Sequence, residues 1–201
     1  ILSEDLCCNL FPWKRPLVIR LLFQKRVRLM TKKERILSVA LYRFAHEGYN
    51  AVSTASIAKE AEVSEGLIFK HFKSKQGLLD TLREELESKM AAKVQPVMEA
   101  ATAAEALHLV FDLLLNVDPV DFNYWRLQYQ LKLNEAYEGH RSAQLYLDRL
   151  SWALQESGFP EPEMEAQLLF EIVDSALKRI VFEELPEKEK YIEFLRKKYA
   201  P

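Results

Sequence analysis

The segment AKEAEVSEGLIFKHFKSK, residues 58–75, decides how the rest of the chain is read. Ser53 and Thr54 are N-cap residue types ahead of a short helix carrying Ile57, Ala58 and Ala61, and Ser64 is an N-cap for another from Glu65 to about Phe72. Two short helices three residues apart form a helix-turn-helix pattern. Ile57, Val63, Ile68 and Phe72 can hold the pair at its crossing, which leaves Glu65, Gly66, Leu67, Lys70 and His71 facing out, with Ser64 at the head of the row. A short helix with a polar outer edge fits the roughly 12 Å major groove of double-stranded DNA, its first turn aimed at base edges and its cations at phosphates. Lys73, Lys75 and the free N–H groups opening the next helix would form a second phosphate clamp. His71 is either a phosphate contact or a surface or capping histidine.

Working outward, the period of 3.6 continues in both directions. Thr31 and Glu34 make a capping box for a first helix from about Thr31 to Glu47, with Ile36, Val39, Ala40 and Phe44 on one face and Gly48 as its stop. Ser74 caps a long fourth helix from Lys75 to about Val94, which Pro96 ends or kinks. Leu107, Val110, Phe111 and Leu114 mark a fifth, and Asp118-Pro119 breaks the chain before a sixth with Phe122, Trp125, Tyr129 and Leu133. Gly139 precedes a seventh with Ala143, Tyr146, Leu147, Leu150 and Leu154, ending at Gly158-Phe159-Pro160. Residues 161–184 form an eighth, and Pro186 opens a ninth with Tyr191, Phe194, Leu195 and Tyr199 on one stripe. The expected fold is all-α, about nine helices: a helix-turn-helix unit over residues 30–77 and a helical bundle over residues 78–201.

Composition narrows the function. The 201 residues suffice for a packed core, and five glycines are too few for a fold built on Gly-rich phosphate loops. Residues 1–29 carry six Lys/Arg against two Asp/Glu, residues 30–77 eight against five, and residues 78–201 fourteen against twenty-three. The net charge of −2 thus hides a cationic N-terminal part on an acidic body. Either the cationic end meets a polyanion or the asymmetry is solvated surface. Cys7 and Cys8 are adjacent and support neither a zinc site nor a disulfide framework. His46, His108 and His140 share no ligand spacing, and no catalytic constellation stands out, so neither an enzyme, a metal nor a cofactor is expected. The apolar run Pro16–Phe23 contains Arg20 and is too short for a bilayer, which points away from export or membrane and towards the cytoplasm. Residues 1–29 follow no period. They are either sequence upstream of a natural start at Met30 or a basic arm lying on DNA.

A family resemblance rests on Phe44-Ala45-x-x-Gly48-Tyr49, Thr54-x-x-Ile57-Ala58, Ala61-x-Val63-Ser64 and Gly66-x-Ile68-Phe69-x-His71-Phe72-x-Ser74-Lys75. These elements, within residues 33–82, closely resemble the DNA-binding domain of TetR-family transcriptional regulators. The resemblance implies a homodimer, most often a repressor, that binds a palindromic operator and releases it when a small molecule enters the C-terminal domain. By motif position it implies phosphate contacts for Thr54, Phe69, His71 and Lys75, and base reading for Glu65, Gly66, Leu67 and Lys70. Three residues depart from the pattern. Phe69 replaces a tyrosine and so lacks the hydroxyl that would reach a phosphate, which leaves it a packing role. Glu65 stands where lysine is frequent; it repels phosphate but can accept from cytosine N4. Glu62 stands where the turn usually has glycine, and a left-handed conformation there would store on the order of 1 kcal/mol.

In the C-terminal half, the eighth helix is apolar on more than one face, which asks for two partners. One is its own bundle and the other its mate across a two-fold axis, with Leu169, Ile172, Val173, Ala176, Ile180 and Phe194 at the interface. Asp174 and Lys178 are spaced to pair along it. A small, largely apolar ligand would meet Phe111, Trp125, Tyr129, Trp152 and Phe170, with His108 and Gln128 as polar anchors; a packed core would use the same residues. The fourth helix is the natural lever between the halves. The competing readings are a helical DNA-binding regulator without a ligand, controlled by a protein partner, and a helical scaffold that binds no DNA.

Overall fold

The structure is a computed structural model that describes residues 30–132 and 140–199, with side chains described for all of these except 140–142. Among the described residues nine α-helices follow one another: α1 Lys32–Glu47, α2 Thr54–Glu60, α3 Glu65–Phe72, α4 Lys75–Glu99, α5 Ala103–Leu115, α6 Phe122–Lys132, α7 His140–Glu156, α8 Pro162–Val181 and α9 Lys188–Tyr199. A short 3₁₀ turn, Pro119–Asp121, leads into α6. Residues 1–29, Leu133 and Gly139, which figured in the sequence reading, lie outside the described residues.

Local chemistry sets most boundaries. The Thr31 backbone N–H donates to Glu34 Oε2 at 2.7 Å while the Glu34 N–H donates to Thr31 Oγ1 at 3.2 Å, a reciprocal cap on α1. Gly48 ends that helix at φ 85°, where a side chain would be strained. Ser53 caps α2, so Thr54 is its first helical residue and not a cap. Ser64 stands at the N-cap of α3 without a side-chain bond, a departure from its expected capping role. Ser74 Oγ accepts from the Gly77 N–H at 3.0 Å and starts α4.

Three boundaries differ from the sequence reading. Helix α4 runs through Pro96 to Glu99 although proline removes a backbone donor. Its last turn is held from outside: Val97 is fully buried, and Arg149 of α7 donates to the carbonyls of Val97, at 3.2 Å, and Ala100 while stacking over Trp152. Helix α8 stops at Val181, because Glu183 turns left-handed (φ 60°) and the Glu183 and Glu184 N–H groups fold back onto Ile180 O and Arg179 O. Helix α9 begins at Lys188, two residues after Pro186, and its inward stripe is Ile192, Leu195 and Tyr199; Phe194 is 64% exposed.

The buried side chains form two large cores and a small one. The first gathers α1, α2, α3 and the opening of α4 (Leu78, Leu79, Leu82), and it also takes Leu127 and Leu131 from α6. The second joins α5, α7, α8, α9 and the end of α4 around Val110, Phe111, Leu150 and Leu169. The third packs Trp125 and Tyr129 of α6 against Val181. Helix α6 is therefore buried on two faces, and each fully covered leucine contributes about 1.5–3 kcal/mol.

Polar contacts sew α6 to its neighbours. Asp121 takes both Lys89 and Lys93 of α4 at 3.1 Å, Tyr124 donates to Glu85 at 2.7 Å, and Arg126 donates to Val181 O at 2.9 Å. Burial pushes the Asp121 carboxyl up, but the two lysines outweigh it and hold the group below the usual carboxylate range. Asp174 pairs with Lys132 of α6 at 3.0 Å instead of with Lys178, because its carboxylate points across the helix interface and not along its own helix. His46 of α1 meets Asn123 Oδ1 at 3.0 Å, and burial pushes its imidazole below the ordinary 6.5, only partly offset by that contact.

Two predictions follow from this architecture. A Cβ on Gly77 would stand 2.0 Å from Phe72 O, so Gly77→Ala should destabilise by about 1–3 kcal/mol, lowering the melting temperature by about 5 °C in a thermal scan. With its folded pKa depressed, His46 supports the fold fully above pH 6.5 and loses that support as pH falls below it. His46→Gln should flatten the decline in melting temperature between about pH 7 and pH 5.

Candidate nucleic-acid interface

Helix α3 is anchored from beneath and bare above. Ile68 and Phe72 are buried against α2 and the opening of α4, which fixes the rotation of the helix about its axis. Glu65, Gly66, Lys70 and His71 are exposed in consequence. Leu67 is half-buried against the same core, so its expected outward place is only partly realised. Phe69, expected to serve packing, is instead 45% exposed, at the flank of the face that buries Ile68 and Phe72.

The surroundings of the row differ from the sequence expectation at two positions. Thr54 Oγ1 donates to Glu65 Oε1 at 2.6 Å, so the hydroxyl assigned to a phosphate is engaged with the first residue of α3. The Lys75 ammonium lies 4.2 Å from the Tyr49 ring centroid, and burial pushes its pKa down. Lys73 is exposed and links α3 to α4 at φ 69°. Glu62, in the turn between α2 and α3, has φ 54°, the left-handed conformation for which glycine is the usual residue.

Two glycines behave oppositely. A Cβ on Gly66 would meet nothing within 4 Å, and its backbone is ordinary helix, so no contact inside the chain requires glycine there. Gly77 was not singled out in the sequence, although a glycine in the first turn of a long helix, at about 1 kcal/mol below alanine, was a signal that something approaches closely. That something is the last carbonyl of α3.

The seven candidates for a ligand cavity do not converge on one. Phe111 is fully buried in the second core, Trp125 and Tyr129 pack in the third, Trp152 lies under Arg149, Phe170 meets Tyr146 edge-on and His108 is half-buried. Gln128 is 4% exposed and its Oε1 has no hydrogen-bond partner among the described residues. An open groove of about 530 Å³ lies elsewhere, between Phe122, Ile180 and the turn Glu183–Pro186, and is lined by none of the seven. The aromatic rings are taken up by packing partners of their own: Tyr129 meets Phe182, Phe170 meets Tyr146 and Trp152 meets Arg149. Among the described residues no cluster of three His, Cys, Asp or Glu could hold a metal ion, and no helix is long and apolar enough to cross a membrane.

The expected interface on α8 is turned partly inward. Leu169, Ala176 and Ile180 are covered by their own chain through α5 and α7 and have no area left for a partner, whereas Ile172 and Val173 are half-buried and Phe194 is exposed. The bare apolar residues of α8 are Met164, 68% exposed, and Leu168.

Residues 36–82 match the family described as bacterial regulatory proteins, tetR family. Over 128 residues, 58% of this chain, the protein is 30% identical to the fatty acid metabolism regulator protein of Bacillus subtilis. That match spans 64% of the relative's own length, and matches to two further curated regulators span 26% and 41% of theirs. Among solved structures, a TetR-like transcriptional regulator from Rhodococcus sp. RHA1 shares the fold at a TM-score of 0.70 and 18% identity, covering 82% of this chain and 91% of that one. The transcriptional regulator FadR from Bacillus subtilis in complex with stearoyl-CoA superposes at a TM-score of 0.56 and 24% identity, covering 81% and 96%.

A substitution at Gly66 can be read separately for stability and for DNA binding. Gly66→Ala should stabilise the free protein by about 0.5–1 kcal/mol, read as a higher melting temperature. The same methyl on the bare face should weaken duplex binding by about tenfold, read in a DNA titration.

Proposed function

We infer, from the match of residues 36–82 to the tetR family of bacterial regulatory proteins, that the chain is a repressor of that family which binds a palindromic operator as a homodimer and lets go when a small, largely apolar ligand binds. The observation that carries the DNA half of this reading is the bare row Glu65, Gly66, Lys70 and His71, held outward by the burial of Ile68 and Phe72. Lys73 extends the row towards the phosphate backbone. Residues 30–77 would meet DNA, and residues 78–201 would take the ligand and the second subunit.

Two similar proteins, a fatty acid metabolism regulator and a regulator in complex with stearoyl-CoA, support a long-chain acyl compound as the first ligand class to try. Within this chain the support is Gln128 of α6, buried with a side-chain oxygen that has no hydrogen-bond partner among the described residues and would accept from a ligand that parts the packed rings of Trp125 and Tyr129. A ligand entering there would push on α6, which touches the N-terminal core through Leu127 and Leu131 and α4 through Asp121 and Tyr124. A ligand that prefers the released state 100-fold weakens operator binding by about 2.7 kcal/mol per coupled site. For the dimer, Met164 and Leu168 with Phe194 of α9 supply exposed apolar surface, in place of the inward-facing Leu169, Ala176 and Ile180.

Selection of bound duplexes from a random pool tests the reading. The wild-type protein should enrich a palindrome with half-site centres about 34–36 Å apart, and Lys70→Ala with His71→Ala should lose it. Stearoyl-CoA should release the enriched duplex. Enrichment of a single half-site by a monomer would overturn the dimer, and unchanged DNA affinity with stearoyl-CoA bound by calorimetry would overturn ligand release.

A further inference from the structure

Glu65 is an odd residue to present to DNA. It is the first residue of α3, it is exposed, and no cation pairs with it among the described residues. Facing a duplex it would repel every phosphate near it, which lowers affinity for all sequences alike. Its side chain is nevertheless held: Thr54, at the opening of α2 and eleven residues away in sequence, donates its hydroxyl hydrogen to Oε1 at 2.6 Å. The bond leaves Oε2 free. It also uses the only hydrogen that the threonine side chain could give to a phosphate.

A carboxylate only accepts hydrogen bonds, and that restricts what it can read. In the major groove guanine offers two acceptors and thymine an acceptor and a methyl group, so both oppose it. Adenine offers a donor beside the N7 acceptor, which repels a second carboxylate oxygen. Cytosine offers the N4 amino group without an adjacent acceptor of its own. The bare surface at Gly66 leaves room for the base edge next to the carboxylate.

We propose that Thr54 and Glu65 form one reading unit, in which Thr54 positions the Glu65 carboxylate to accept from cytosine N4, so that each half-site contains a cytosine this protein requires. The inference rests on the reading of α3 as the helix that enters the major groove. Thr54 is then a positioning residue and not a phosphate contact, and Glu65 sets specificity at the expense of general affinity.

The test uses the full chain and the same random-pool selection, with wild type, Glu65→Gln, Thr54→Val and Thr54→Ser. Wild type should enrich a half-site with one invariant cytosine. Glu65→Gln should lose that preference at this one position, moving it towards adenine, which the glutamine amide can bond in two places, while the other positions stay as they were. In titrations, replacing the cytosine in the duplex should weaken wild-type binding by about tenfold and Glu65→Gln binding hardly at all. On a scrambled duplex at low salt Glu65→Gln should bind more tightly than wild type, one negative charge having been removed. Thr54→Val should blunt the cytosine preference and Thr54→Ser restore it. An enriched palindrome whose positions are the same in Glu65→Gln overturns this proposal and leaves the DNA-binding reading standing. A cytosine preference intact in Thr54→Val overturns the positioning role of Thr54, and no enriched site in wild type overturns both readings.

Discussion

One backbone carbonyl governs the geometry of the presented helix. Phe72 O, at the end of α3, occupies the place where any residue other than glycine at position 77 would carry its Cβ. The approach lets the chain turn from α3 into α4 through two residues, Lys73 at φ 69° and Ser74 as the cap. With the turn so short, the direction of α4 fixes that of α3. The opening of α4 is then held by Leu78, Leu79 and Leu82 in the first core, and its far end by Arg149 over the last carbonyls. The direction of α3 is thus set by a contact between main chains, and the burial of Ile68 and Phe72 sets its rotation; substitutions on the exposed row leave both untouched.

The parts of the fold legible in the sequence are those fixed by neighbours along the chain. Thr31 with Glu34, Gly48, Ser53 and Ser74 mark helix ends because their bonds span three or four residues. The parts that were not legible depend on residues far away. Pro96 marks a helix end by local rules, yet Arg149, more than fifty residues later, supplies the bonds that let the helix continue. Asp174 had an available partner one turn along its own helix and took Lys132 of another. Phe194 lies on the surface and Ile192 in the core because α9 packs its Ile192, Leu195 and Tyr199 stripe into the core shared with α5, a choice of face that local periodicity does not make.

The candidate site divides in the same way. A helix-turn-helix pattern names the residues that must point inwards, Ile57, Ile68 and Phe72, and the outward ones follow by exclusion. The bond between Thr54 and Glu65 does not follow, since it exists only once two helices cross. In the C-terminal half an apolar or aromatic residue at helical spacing reads identically whether it lines a cavity, fills a core or faces a partner. Phe111, Leu169, Ala176 and Ile180 fill the core. The two-sided burial of α6 was hidden too, because its hydrophobic positions, shared between two cores, look like one irregular stripe.

That two-sided helix has a bearing on how the protein is made. The apolar face of the helix-turn-helix unit is completed by Leu127 and Leu131, which are synthesised long after Phe44 and Ile57. At about 5–20 residues per second the roughly 80 intervening residues take on the order of 4–16 s to emerge from the ribosome. For that interval the first helices carry an uncovered hydrophobic strip and must be shielded from neighbouring nascent chains. The helix-turn-helix unit therefore matures only when the middle of the bundle arrives, and a chain broken off before α6 leaves that strip open for good.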